Sequence, residues 1–202
     1  PAEMTQPGRR ANLYQLQVYY VTERLDPAQQ TLDFWRSLDE TILPPERRLQ
    51  ILAYSDDEYF VSKALKHLPS ERFAVSVVGS GNLPARDAAV PPSWNKVDAV
   101  VFDRCVPGVL PENGGFLFIG PKDDLPLDGA KVGKEIKSPR IIDWDRSHPL
   151  VRFTSLSGVL VGRGRPVHIG RGQTTLLESS EGPLIGAWQS DQLRVVAVGF
   201  DV

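Results

Sequence analysis

From Arg48 onward the apolar positions switch between two periods. Residues 49–54 form a nearly continuous apolar run, the pattern of a strand buried on both faces. Behind it, Val61, Ala64, Leu65 and Leu68 recur at i, i+3, i+4 and i+7, which predicts a helix laid over the sheet. Ser55 or Asp56 stands where a side-chain oxygen would cap that helix by accepting from its first amides. Residues 73–78 read as a second strand. A loop containing Pro91-Pro92 precedes a third over 97–102, and a fourth follows over 116–119. Strand, helix, strand at this spacing predicts a right-handed crossover and a mostly parallel sheet.

After about Pro139 the texture changes to short strands separated by glycine turns. They are expected at 156–161, 167–169, 174–177, 184–188 and 193–199, with hairpin connections. The fold expected is α/β, a flavodoxin-like mostly parallel sheet with helices on both faces and an antiparallel-rich C-terminal part. Ahead of Arg48 the pattern is different. Residues 1–10 are polar, and Leu13, Leu16, Val18 and Tyr20 suggest a half-buried strand over 12–22. Leu32, Trp35 and Leu38 lie on one helical stripe within 31–41, and Pro44-Pro45 marks a boundary. The expected division is a β-rich segment, 1–45, belonging to a preceding domain, and an α/β domain, 46–202. A first residue that is proline and a last strand running to the end suggest a part of a longer protein.

Composition narrows the function classes only by exclusion. A formal net charge of −2 over 202 residues gives no electrostatic case for nucleic acid or an anionic membrane. No window approaches the roughly 18 apolar residues of a membrane-spanning helix, and residues 1–10 lack the apolar core of a secretory leader. A single cysteine, Cys105, excludes an internal disulfide and a cysteine-rich zinc site.

Candidate chemistry gathers where the parallel strands should end, since open α/β sheets bind ligands outside those ends. Ser55, Asp56, Asp57 and Asp103 would meet there and could hold a cation or a hydroxylated ligand; helix capping and solvation explain them as well. Cys105 follows the third strand, and Arg104 beside it would lower a thiol pKa. A small half-buried hydrophobe in a turn is the plainer account. The run Gly79-Ser-Gly81-Asn-Leu-Pro84 lacks the third glycine of a dinucleotide loop and reads as a loop. His67, His148 and His168 form no metal pattern. Arg163, Arg165 and Arg171 cluster with His168 in glycine turns, where they are either solvated or the seat of an anion.

Taken in order, several segments resemble the class I glutamine amidotransferase-like family and its ThuA-like branch. They are Leu49-Gln-Ile-Leu-Ala-Tyr-Ser-Asp56, Val97-Asp-Ala-Val-Val-Phe-Asp103, the His148-Pro149-Leu150 turn, Leu176-Leu-Glu-Ser, Gly182-Pro-Leu-Ile and Arg194-Val-Val-Ala-Val-Gly-Phe200. The pattern is most similar to the domain of this type in bacterial membrane proteins carrying a von Willebrand factor A domain, and it covers about residues 46–202. The resemblance implies a nucleophilic cysteine on a sharp turn after the fourth strand, but Gly120-Pro121 stands there. It also implies a histidine followed closely by a carboxylate, which neither His148 nor His168 provides. The expectation is therefore a non-catalytic binding or structural module without cofactor, partnered by other domains of its chain or another protein. It would face the extracytoplasmic side of a bacterial membrane. Ser55, Asp56, Asp103, Arg104 and Gly120 are the ligand-binding candidates. The competing expectations are a divergent hydrolase or amidotransferase using Cys105, with His148 a further catalytic candidate, and a carbohydrate-binding module.

Overall fold

A computed structural model of the chain describes residues 47–152 and 159–200. The chain divides into two compact units, Pro1–Arg47 with Arg146–Ser155, and Arg48–Asp145 with Leu156–Val202. The strand expected over 12–22 and the helix over 31–41 lie outside the described residues, as does the first half of the strand expected over 156–161; its second half, 159–161, is not a strand, and Leu160 is exposed.

The second unit is built on one mixed sheet. Its strands are β1 (Leu49–Ser55), β2 (Phe73–Gly79), β3 (Ala99–Asp103), β4 (Gly114–Ile119), β7 (Ile141–Trp144), β10 (Thr174–Ser179), β11 (Gly182–Gln189) and β12 (Leu193–Val198). They are ordered β2-β1-β3-β4-β12-β11-β10-β7. The five from β2 to β12 are parallel, and from β12 to β7 each pair is antiparallel. Two small antiparallel pairs join it: β5 (Lys131–Val132) with β9 (Val167–His168), and β6 (Ile136–Lys137) with β8 (Arg163–Gly164). Parallel strands first and antiparallel strands later match the change of texture near Pro139.

The expectation of helices on both faces is not met among the described residues, where α1 (Glu58–Leu65) is the one α-helix. It connects β1 to β2. Val61 and Leu65 of the expected stripe are half-buried, whereas Ala64 is exposed and Leu68 falls beyond the helix end, just ahead of Pro69. The aromatic face of the sheet is covered by loops and by β5 and β9.

That face carries the core. Tyr54, Phe102 and Phe118 sit in one register row across β1, β3 and β4. Their rings stack, with centroids 5.8 Å apart for Tyr54–Phe102 and 4.9 Å for Phe102–Phe118. Trp94 packs edge-on against Phe102 at 5.4 Å, and its indole N–H donates to the Tyr54 hydroxyl at 3.1 Å. Phe116 extends the stack, and Val167 and Ile169 close over the same cluster. At the other end of the core, backbone meets backbone. The Arg165 amide donates to the Gly199 carbonyl at 2.6 Å, the Gly199 amide donates to the Leu184 carbonyl at 2.7 Å, and a side chain on Gly199 would strike the Arg165 carbonyl.

Phe102 is fully buried and packs against four other rings, so Phe102→Ala leaves a cavity at the centre of the stack. The expected loss is about 3–5 kcal/mol, enough to lower the melting temperature by roughly 10 °C. Urea unfolding followed by tryptophan fluorescence checks it; a loss under about 1 kcal/mol would show that the stack is not the core of this unit.

Candidate functional site

The register brings every parallel strand to the same finish. Gly79, Ser55, Asp103, Ile119 and Val198 form one row across β2, β1, β3, β4 and β12. The residues that follow, Ser80, Asp56, Arg104, Gly120 and Gly199, leave the sheet together. Strand β1 is followed by β2 on one side and has β3 on the other, so chain direction across the sheet reverses between β1 and β3. Ser55 and Asp103 sit at that reversal, where an open α/β sheet splays its loops apart and leaves a crevice. The five candidates Ser55, Asp56, Asp103, Arg104 and Gly120 thus share one edge.

Side by side on adjacent strands, Ser55 and Asp103 are both buried, at 1% and 5% exposure. The Ser55 hydroxyl donates to Asp103 Oδ2 at 2.6 Å and accepts from the Asp57 amide at 2.9 Å. It orders the chain into α1 but sits two residues ahead of the capping position: the Asp57 carbonyl accepts the Val61 amide at 3.4 Å. Arg104 donates to the same Oδ2 from Nε at 3.3 Å and from the terminal guanidinium nitrogen at 3.0 Å. Asp103 is therefore not solvated; its carboxylate is held by a hydroxyl and a guanidinium. Arg104 achieves this with φ at 55°, a left-handed conformation that costs a non-glycine residue about 1–2 kcal/mol, and its amide donates to the Ile119 carbonyl at 2.8 Å.

Asp56 lies outside this buried trio and does not cap α1. It accepts from Lys122 Nζ at 3.3 Å, and its pKa is lowered chiefly by a hydrogen bond from the Ser80 hydroxyl, then by Lys122. Ser80 and Lys122 were not legible as site residues. Lys122 stands directly behind Gly120-Pro121, and that adjacency was the available signal.

Gly120 adopts φ 55° and its amide donates to the Val198 carbonyl at 2.8 Å. Pro121 is fully buried, and residues 121–130 run on as a loop with no helix. A nucleophile turn needs a helix whose first amides face the reacting carbonyl, and the described chain has none here.

Cys105 is half-buried and its thiol donates to the Tyr54 carbonyl at 3.6 Å. Burial first, then the Asp56 and Asp103 carboxylates, push its pKa up to about 12. The expected lowering by Arg104 does not occur, because that guanidinium is turned onto Asp103. His148 belongs to the first unit, where its Nδ1 accepts the Leu150 amide at 3.3 Å and its carbonyl accepts those of Val151 and Arg152. It shapes the His-Pro turn. The arginine cluster separates: Arg163 and Arg165 pair with Glu135, at 3.7 and 3.3 Å, while Arg171 and His168 line a different surface. No group of three or more metal-ligating side chains occurs among the described residues, and no described helix is long and apolar enough to cross a membrane.

No protein-family description matches the sequence, and neither does a curated protein. The fold is shared with two solved proteins described as cytoplasmic, STM1381 of Salmonella typhimurium LT2 and STM3548 of Salmonella typhimurium. Each aligns with 76% of this chain and 88% of its own length, at 12% identity and a TM-score of 0.54. A ThuA-like protein from Parabacteroides merdae aligns with 75% of this chain and 79% of its own at 13% identity. Its TM-score of 0.42 is too low to carry an argument.

Two outcomes test this geometry. With a thiol pKa of about 12, roughly one Cys105 in 100,000 is ionised at pH 7, so iodoacetamide should label it roughly 1,000-fold more slowly than a free cysteine. Labelling at or above the free rate would contradict the buried thiol. Asp56, its pKa lowered in the folded state, adds stability above its unfolded value of 3.8 that is lost as pH falls through the folded pKa. Carboxyl NMR titration should show Ser80→Ala raising the Asp56 midpoint more than Lys122→Ala does; no movement in either variant would remove both contacts.

Proposed function

We propose that this chain is a non-catalytic binding module on an amidotransferase-like scaffold. The observation that supports it most is the strand-end row, where each group able to attack a substrate is withdrawn. Gly120-Pro121 occupies the nucleophile turn, the Ser55 hydroxyl is buried against Asp103, and Cys105 stays a neutral thiol. What faces outward is Asp56 with Lys122, an exposed ion pair suited to recognition and not to bond cleavage. The segment resemblances support the finer reading of a ThuA-like domain in a larger, membrane-anchored bacterial protein with a von Willebrand factor A domain. Its partners are then neighbouring domains or a second protein.

The competing hydrolase would need Cys105 or the strand-end carboxylates as its reactive groups. Assay of the purified chain with glutamine, simple amides and activated esters decides between them. The expected result is turnover no faster than buffer, unchanged in Cys105→Ala and Asp103→Asn. Turnover that Cys105→Ala abolishes would overturn the binding-module reading.

A further inference from the structure

A cleft of about 950 Å³ opens on the aromatic face of the sheet, away from the strand ends, lined by Leu127, Lys131, His168, Ile169, Arg171 and Trp188 among others. Trp188 pairs with Val195 and Val195 with Phe116, so the cleft floor sits three register rows back from Ile119, about 10 Å along the strands. It shares no residue with the strand-end site.

Its walls are fixed by hydrogen bonds. The Trp188 indole N–H donates to the Arg171 carbonyl at 2.9 Å. Gln173 accepts the Ile169 amide at 2.5 Å and donates to the Val167 carbonyl at 3.3 Å, which pins the turn that carries Arg171. Gly170, at φ 139°, lets that turn approach the 127–130 loop, where a side chain would meet the Asp128 carbonyl at 2.9 Å. Lys131 and His168 are directly opposed across β5 and β9, so both side chains leave the same face of that pair.

The charges are unequal. Lys131 is held by Asp124 at 2.7 Å, and Asp124, its pKa lowered chiefly by that contact, also accepts the Val132 amide. Among the described residues, the Arg171 guanidinium and the His168 imidazole have no hydrogen-bond or ion-pair partner. Against Arg171 the described residues of the cleft lining set one carboxylate, Asp128. A half-buried indole beside a forked cation is the arrangement that takes a flat ring against the aromatic face and an anionic group on the guanidinium.

We infer that this cleft binds a small ring-bearing anion, a phosphate- or carboxylate-substituted ring no larger than a nucleotide, stacked on Trp188 with its anionic group on Arg171 and His168. The volume lies within the range of small-molecule sites. This goes beyond the binding-module reading and does not rest on the strand-end residues, so either can fail alone.

The test is NMR titration of the whole chain, following the Trp188 indole N–H, identified by its loss in Trp188→Phe. Adenosine 5′-monophosphate and glucose 6-phosphate are the probes, with adenosine, glucose and inorganic phosphate as their separate halves. The expected result is saturable binding of at least one probe with a dissociation constant below about 1 mM, tighter than either of its halves. Binding of the nucleotide alone identifies an aromatic ring, and of the sugar phosphate alone a pyranose. Arg171 is exposed, so Arg171→Gln should leave the fold intact and weaken binding about tenfold. Absence of saturation by both probes overturns the proposal, as does binding that Arg171→Gln and Trp188→Ala both leave unchanged.

Discussion

Phe102 has Tyr54 stacked on one side, Phe118 on the other and Trp94 against its edge, and this contact between β1, β3 and β4 sets the register of the parallel sheet. A slip of one residue between any two of these strands would carry a ring to the opposite face, so the stack admits one alignment. Everything at the strand ends inherits that alignment. With Tyr54 and Phe102 turned into the core, the next row, Ser55 and Asp103, must face the other way and fall side by side. The buried trio of Ser55, Asp103 and Arg104 is thus positioned by an aromatic stack that contains no functional group except the Tyr54 hydroxyl, itself bonded to Trp94.

The same row shows how buried polar groups at the strand ends satisfy one another. Asp103 is taken out of solvent but keeps a hydroxyl and a guanidinium as partners, which avoids the several-kilocalorie cost of an unpaired buried charge. Arg104 accepts backbone strain to reach Asp103, and in doing so turns away from Cys105. One guanidinium therefore has two effects: it satisfies the buried acid, and it is spent there instead of on the thiol.

Much of this was legible in the sequence. Continuous apolar runs located β1 to β4 to within two residues, because strands buried on both faces leave no other pattern. Convergence of Ser55, Asp56, Asp103, Arg104 and Gly120 followed from parallel order alone. Four short strands, β5 to β8, were not legible, since two to four residues carry no period. Nor was the Arg104 turn, because a positive φ at arginine has no signature in residue type. The cleft around Trp188 depends on loops 127–130 and 169–172 returning over the sheet, and their meeting is fixed by Gly170 and Gln173 rather than by any motif.

Gly199 shows a different dependence. It buries no apolar side chain, yet its carbonyl and amide tie the end of β12 to the turn before β9 and to β11, and the Arg165 carbonyl occupies the space a methyl group would need. Any substitution there must push two backbones apart and break at least one of those bonds. Sequence drift in this fold is therefore constrained at two unlike places, one by the shape of a ring and the other by the lack of any side chain. A lineage could exchange every charged residue on the surface and still be held at both.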